Sequence, residues 1–85
     1  MRIDRLLCCL RFVRTRSAAR VLIEQGHVRR NGERVLRASR AIGVGDVLTF
    51  PIGQQVKLIE VLAMPERRGP AREAQACYRE LDPAP

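Results

Sequence analysis

Aromatic side chains are nearly missing from this chain. Phe12, Phe50 and Tyr78 are all it has, and there is no tryptophan. A protein that grips single strands by stacking bases needs an aromatic platform, and three scattered rings do not supply one. Cysteine is limited to Cys8, Cys9 and Cys77. An odd number with two adjacent is a poor disulfide framework, and none has the C-x-x-C spacing of a metal site. They read as small buried hydrophobes in a reducing compartment. The single histidine, His27, has no ligand set around it, so no metal and no cofactor is expected. No apolar run approaches the ~20 residues that span a bilayer. The N-terminus has no secretory leader pattern, so a cytoplasmic location without a membrane partner is expected.

Catalytic constellations are also lacking. There is no P-loop, no G-x-G-x-x-G and no Ser-His-Asp set. The carboxylates are scattered: Asp4 is a helix-cap candidate, Asp46 sits in a turn, and Glu24, Glu33 and Glu60 look solvent-facing. A chain of 85 residues makes one domain with a small core and little room for a deep cleft. No catalytic residue is assigned, and the chain is not expected to be an enzyme.

What the chain has in excess is positive charge, +7 overall and unevenly placed. Residues 1–40 carry eleven arginines against Asp4, Glu24 and Glu33, whereas residues 41–85 carry five basic and six acidic residues. Fifteen of the sixteen basic residues are arginine, the exception being Lys57. Arginine makes planar, bidentate contacts to phosphate. The asymmetry predicts a polyanion-binding face built from the first half.

Asp4 can cap a helix running to about Phe12, with Leu6, Leu7 and Leu10 on one face. Thr15 or Ser17 can cap a second helix through about Gln25, with Gly26 as its stop. Ala19, Leu22 and Ile23 form its inner face, Arg16 and Arg20 line up beside that face, and Val21 is left partly exposed. A hairpin follows, with strands of about 27–30 and 33–36, then a polar connector at 37–42. A strand of about 47–50 is ended by Pro51 and Gly53, a second covers 56–63, and a loop runs through Pro70. "AREAQACYREL", 71–81, reads as a helix with the stripe Ala74, Cys77, Tyr78 and Leu81. The fold class is α+β: two N-terminal helices packed on a small, mostly antiparallel sheet, plus a C-terminal helix.

"RRNGER", 29–34, adds a tension. Asn31-Gly32 is a strong two-residue turn signal. That turn pairs Arg30 with Glu33 and sets Arg29 directly across from Arg34, a like-charge pair that destabilises strands. A polyanion lying between those two side chains would turn the repulsion into a clamp. Arg11, Arg14, Arg16, Arg20, Arg29, Arg34 and Arg37 could then share one surface. Structured RNA, read by shape and phosphate, suits cations without aromatics. Two other classes stay open. A DNA-binding regulator would use the helix pair and hairpin as a winged helix-turn-helix, a fold that places three helices before its wing where two fit here. An adaptor would dock a partner on the 71–81 stripe.

The stretch "RIDRLL…RFVRTRSAARVLIEQGHVRRNGERV" resembles the RNA-binding domain of ribosomal small-subunit protein S-four, the alpha-L motif. Matching residues are Arg2, Ile3 and Asp4; Thr15, Arg16, Ser17 and Ala19; Leu22, Ile23, Gly26, Val28, Asn31 and Gly32. "GDVLTF" matches the next strand. "ERRGPAREAQACY" is similar to the end segment of the heat-shock-protein-fifteen subfamily, bacterial proteins that bind the large ribosomal subunit and are implicated in rescue of stalled subunits. Subfamily members often have Trp in the first helix and a long basic tail, where this sequence has Leu6 and Cys8 and reads "LDPAP" to Pro85. The resemblance implies an S-four-type domain over 1–64, with 65–85 a loop and helical extension of the same unit. It implies a protein that binds structured RNA, ribosomal RNA of the large subunit, in a stress-response role; a monomer is expected. On the RNA surface it places Arg16, Ser17, Arg20, Gln25, His27, Arg29 and Asn31, and from the motif segments Arg2, Asp4, Arg5 and Thr15. Arg11, Arg14, Arg34 and Arg37 are added on charge alone.

Overall fold

The computed structural model describes residues 1–81, so the last four residues of the expected extension lie outside the described part. Helix α1 is Ile3–Cys9 and α2 is Arg16–Glu24. Strands β1 (Val28–Arg30) and β2 (Glu33–Val35) form the hairpin. β3 (Val47–Ile52) and β4 (Gln55–Val61) follow, then a short α3 (Ala71–Gln75) and β5 (Tyr78–Glu80). The five strands form one antiparallel sheet in the order β2-β1-β3-β4-β5. The α+β class expected from the sequence is the class observed. Ile3, Leu6, Leu7 and Leu10 from the first helical segment and Ala19 and Ile23 from α2 are buried with Val28, Val35, Leu48, Phe50, Ile59 and Val61 of the sheet. Phe12 joins Phe50 and Tyr78 at centroid distances of 4.8 and 4.9 Å, so the few aromatics are gathered in one cluster against the core. Leu22 is only half-buried, while Val21 is exposed as expected.

Asp4 does not cap α1. The cap position is Arg2, whose side chain accepts from no helix N–H and instead donates to Asp4, which lies inside the first turn with its side chain buried. The helix N-terminus is closed from elsewhere: the N–H groups of Ile3 and Asp4 donate to Arg40 O (2.8 Å) and Ala38 O (3.2 Å) of the connector. At its other end α1 stops short of Phe12. Arg11 takes φ 68°, Arg11 N–H donates to Cys8 O (3.0 Å) and Phe12 N–H to Leu7 O (3.1 Å). That is a Schellman closure with arginine where glycine is usual. α2 is capped by Thr15, whose hydroxyl accepts from Ala18 N–H (3.1 Å), and Gly26 ends it at φ 82°.

Two further expectations are corrected. Pro51 does not break its strand; β3 runs through it to Ile52. Ile52 faces Gln55 across a two-residue turn, so Pro51 and Val56 are a non-hydrogen-bonded pair. The missing N–H of Pro51 therefore points away from β4, toward a side where β1 has already ended. The helix expected over 71–81 stops at Gln75, and Tyr78–Glu80 pairs with β4 instead. β4 would otherwise present a bare edge. Cross-strand pairs Arg79–Glu60 and Lys57–Glu80 (3.0 Å) accompany that pairing.

The hairpin is fixed by Asp46. Its carboxylate accepts from Arg30 (2.8 and 3.4 Å), Asn31 Nδ2 (3.1 Å) and Gly43 N–H (2.8 Å). Burial raises its pKa, but the bonds from Arg30, Gly43 and Asn31 and the charge of Arg30 outweigh this, and it falls from 3.8 to about 2. A folded pKa below the unfolded one adds stability that is complete above the unfolded value and lost as pH falls through the folded one. We expect Asp46→Asn to lower stability by ~1–2 kcal/mol at neutral pH and to flatten the acid limb between pH 3.8 and about 2. Urea unfolding at stepped pH measures this; an acid limb with the same slope in the variant would contradict it.

Candidate nucleic-acid interface

Two acids in the basic half of the molecule, or beside it, set which cations are already satisfied. Asp4 is one: it is 1% exposed and accepts a fork from Arg2 (3.1 and 3.1 Å), a longer bond from Arg16 (3.4 Å) and the N–H of Arg5 (2.7 Å). Arg2 and Arg16 remain about half exposed. Asp4 was expected on the RNA surface. It is buried instead, and orients two arginines across the α1–α2 junction. Asp46 is the other, and it takes Arg30.

The hairpin register is as expected: Arg30 opposite Glu33, Arg29 opposite Arg34, Val28 opposite Val35. Asn31 (φ 52°) and Gly32 (φ 84°) make the turn. Arg30 points to Asp46 and not to Glu33, although the two are Cα partners. Asn31 is committed to the fold: its Oδ1 accepts from Val47 N–H (2.8 Å) and its Nδ2 donates to Asp46. It shapes the turn and has little left for a ligand. Arg29 donates to Gly32 O (3.3 Å).

Of the other expected residues, Thr15 is spent as a cap, while Ser17, Gln25 and His27 are exposed. Arg5 and Arg11 donate to the backbone carbonyls of Glu66 (3.1 Å) and Gly69 (3.0 Å). Those bonds tie the segment before α3 to α1, a role their charge did not suggest. Among the described residues, Arg14, Arg20, Arg34 and Arg37 are exposed and have no side-chain hydrogen bond or ion pair. Arg40 is in the same condition and was missed. The three-residue spacing of Arg34, Arg37 and Arg40 was its available signal. These unpaired arginines, like the part-exposed Arg2, Arg16 and Arg29, could offer forked donors to phosphate oxygens.

A helix pair and hairpin presenting arginines in this way define the class. The S4 domain profile matches residues 1–48, and the chain belongs to the S4 domain family. Within the family it is similar to heat shock protein 15. It is 37% identical to the Haemophilus influenzae heat shock protein 15 homolog over 82 residues, 96% of this chain and 62% of that protein. It is 38% identical to Escherichia coli heat shock protein 15 over 80 residues, 94% of this chain and 59% of that protein. The chain thus spans about three-fifths of the length of these relatives. The trimeric structure of Vibrio cholerae heat shock protein 15 superposes with a TM-score of 0.90 at 37% identity, over 95% of this chain and 81% of that one.

The two acid-centred arrangements separate structural from surface arginines. Asp4→Ala is expected to cost ~1–3 kcal/mol, because it removes a buried acceptor of three donors. Arg16→Ala should cost under ~1 kcal/mol, since Arg2 keeps the carboxylate paired. Equal losses in urea titrations would mean that Arg16 is part of the fold. In the hairpin, Arg34→Thr relieves the Arg29 contact and adds a strand former. It also strips the arginine stem from beside Gly26, where a Cβ would lie 3.5 Å from Arg34 Cδ. A net gain at the lower end of ~0.2–1 kcal/mol is expected. Glu33→Thr should be close to neutral, because Arg30 is held by Asp46. Thermal melting of the free proteins decides; a loss on Arg34→Thr would reveal an intramolecular partner for that side chain.

Proposed function

We propose that this chain is a noncatalytic RNA-binding protein that recognises structured ribosomal RNA. It associates with the large ribosomal subunit and acts on stalled or heat-damaged ribosomes. The observation that carries this reading is the set of exposed arginines without an intramolecular partner, Arg14, Arg20, Arg34 and Arg37, lying on the segments that the family match covers. The names of the relatives support the stress role. Recognition is of phosphate and shape, because the aromatic rings are gathered against the core and leave no stacking platform.

The adaptor reading is less well supported. Ala74 is buried, and Cys77 and Tyr78 pack against the core, so the stripe meant for a partner is used within the chain. Among the described residues only two helices precede the hairpin, which also disfavours a winged DNA-binding fold.

Titration of purified 23S ribosomal RNA, with 16S RNA and duplex DNA as competitors, tests the proposal. With about four to six phosphates engaged, log K should fall against log salt with a slope of roughly −3 to −5. Arg20→Ala should weaken binding without changing the melting temperature, and Arg16→Ala should weaken it with only a small change. A slope near zero, or equal affinity for duplex DNA, would sink the reading. The solved Vibrio cholerae relative is described as trimeric. Light scattering with and without RNA decides whether this chain acts as the monomer expected from its sequence.

A further inference from the structure

β2 is an open edge of the sheet, and outside it lies a groove of about 480 Å³. One wall is the strand, with Glu33 and Arg34; the other is the connector, with Leu36, Arg37, Ser39 and Arg40. Arg30 also reaches the groove, but its charge is matched by Asp46. The guanidinium groups of Arg34, Arg37 and Arg40 have no such match among the described residues.

The backbone adds a donor. Arg30 and Glu33 flank a two-residue turn and are therefore a hydrogen-bonded pair, which makes Arg29 and Arg34 a non-hydrogen-bonded one. The N–H of Arg34 consequently points off the sheet edge, toward the groove. The connector wall is tied to the fold. Arg40 N–H closes a turn on Arg37 O (3.1 Å), Ala38 is buried, and the carbonyls of Ala38 and Arg40 cap α1. Arg2 forms a β-bridge with Ala41, so the groove adjoins the arginine pair on Asp4. No aromatic residue lines it, so it has nothing on which to hold a base. Three forked cations, an outward N–H and the Ser39 hydroxyl around one groove are the donor set of a phosphate site.

We infer that this groove is a second phosphate-binding site, which takes backbone phosphates of the bound RNA on the β2 side of the hairpin. The RNA is then held by the connector arginines in addition to the helix arginines. This rests on the RNA-binding reading, and its test separates the two.

The test compares 23S RNA binding across a salt series for the wild type, the pair Arg37→Gln/Arg40→Gln, and the pair Lys57→Gln/Arg79→Gln. The last pair removes the same charge from β4 and β5, at the far edge of the sheet. The groove pair should shallow the slope by about 2, at roughly 0.9 per phosphate, and weaken binding about tenfold or more at moderate salt. The far-edge pair should leave the slope unchanged. Ser39→Glu places an anion in the groove and should weaken binding as the groove pair does, which guards against a folding failure of that pair. If the wild type binds with a steep slope and the groove variants match it, the groove site is wrong and the RNA reading stands. If both pairs lose slope equally, only net charge is acting and the site is wrong. If the wild type does not bind RNA, both fall. Inorganic phosphate, followed by amide shifts of Arg34, Ser39 and Arg40, distinguishes the source. Shifts with phosphate while RNA leaves these amides unmoved would make this a free-anion site and overturn the proposal.

Discussion

Asp46 holds the hairpin to the rest of the sheet, and the direction in which the basic surface faces follows from that attachment. A pair of three-residue strands is marginal by itself, and β1 meets β3 over only two residue pairs. The tip is secured where the chain enters β3. Asn31 N–H donates to Val47 O (2.7 Å), Asn31 Oδ1 accepts from Val47 N–H (2.8 Å), and Asp46 gathers Arg30, Asn31 and Gly43. With the turn pinned and Arg30 drawn to the carboxylate, the strand period leaves Arg29 and Arg34 as the outward pair. One acid thus converts a flexible basic loop into a presented one.

Asp4 does the same for the helices. It is buried, shared by Arg2 and Arg16, and lies where the connector carbonyls close the start of α1. In the first forty residues Glu24 and Glu33 are the only other acids, and both are exposed. The acids that matter are therefore internal organisers, and most of the positive charge is left outside without counter-charge. Such self-repulsion destabilises the compact state. A ligand that binds only the folded form offsets such repulsion by mass action, so a polyanion bound to this face would stabilise the fold that displays it.

Local chemistry was legible in the sequence. Asn-Gly fixed the hairpin register to the residue, Gly26 marked the end of α2, and the inner faces of α1 and α2 followed from spacing except at the half-buried Leu22. Long-range pairing was not. The stripe Ala74, Cys77, Tyr78 is compatible with one helix, but an unpaired edge of β4 captured Tyr78–Glu80, and that gain exceeded the helical preference of the segment. Pro51 looked like a strand end because which side of β3 its missing N–H faces depends on where β1 stops. For the candidate site, charge pointed to the first half of the chain. It could not separate arginines bound to Asp4 and Asp46 from those left free, since that depends on where two carboxylates lie in space.

Arg11 shows why arginine serves both purposes. α2 ends in a left-handed glycine, but α1 ends in a left-handed arginine, at a cost of roughly 1–2 kcal/mol. From that position its side chain reaches Gly69 O, while Arg5 reaches Glu66 O and Arg68 returns to Cys8 O (3.2 Å). These three bonds fasten the segment that delivers β5 to the edge of β4. A guanidinium has five donors in a fixed plane, so one carbonyl bond leaves most of the group, and all of its charge, facing solvent. A lysine placed there would offer a point charge without that fork. The same residue can therefore anchor a loop and still contribute to a cationic face, so in a chain of 85 residues one side-chain type both fastens surface segments and supplies the exposed charge.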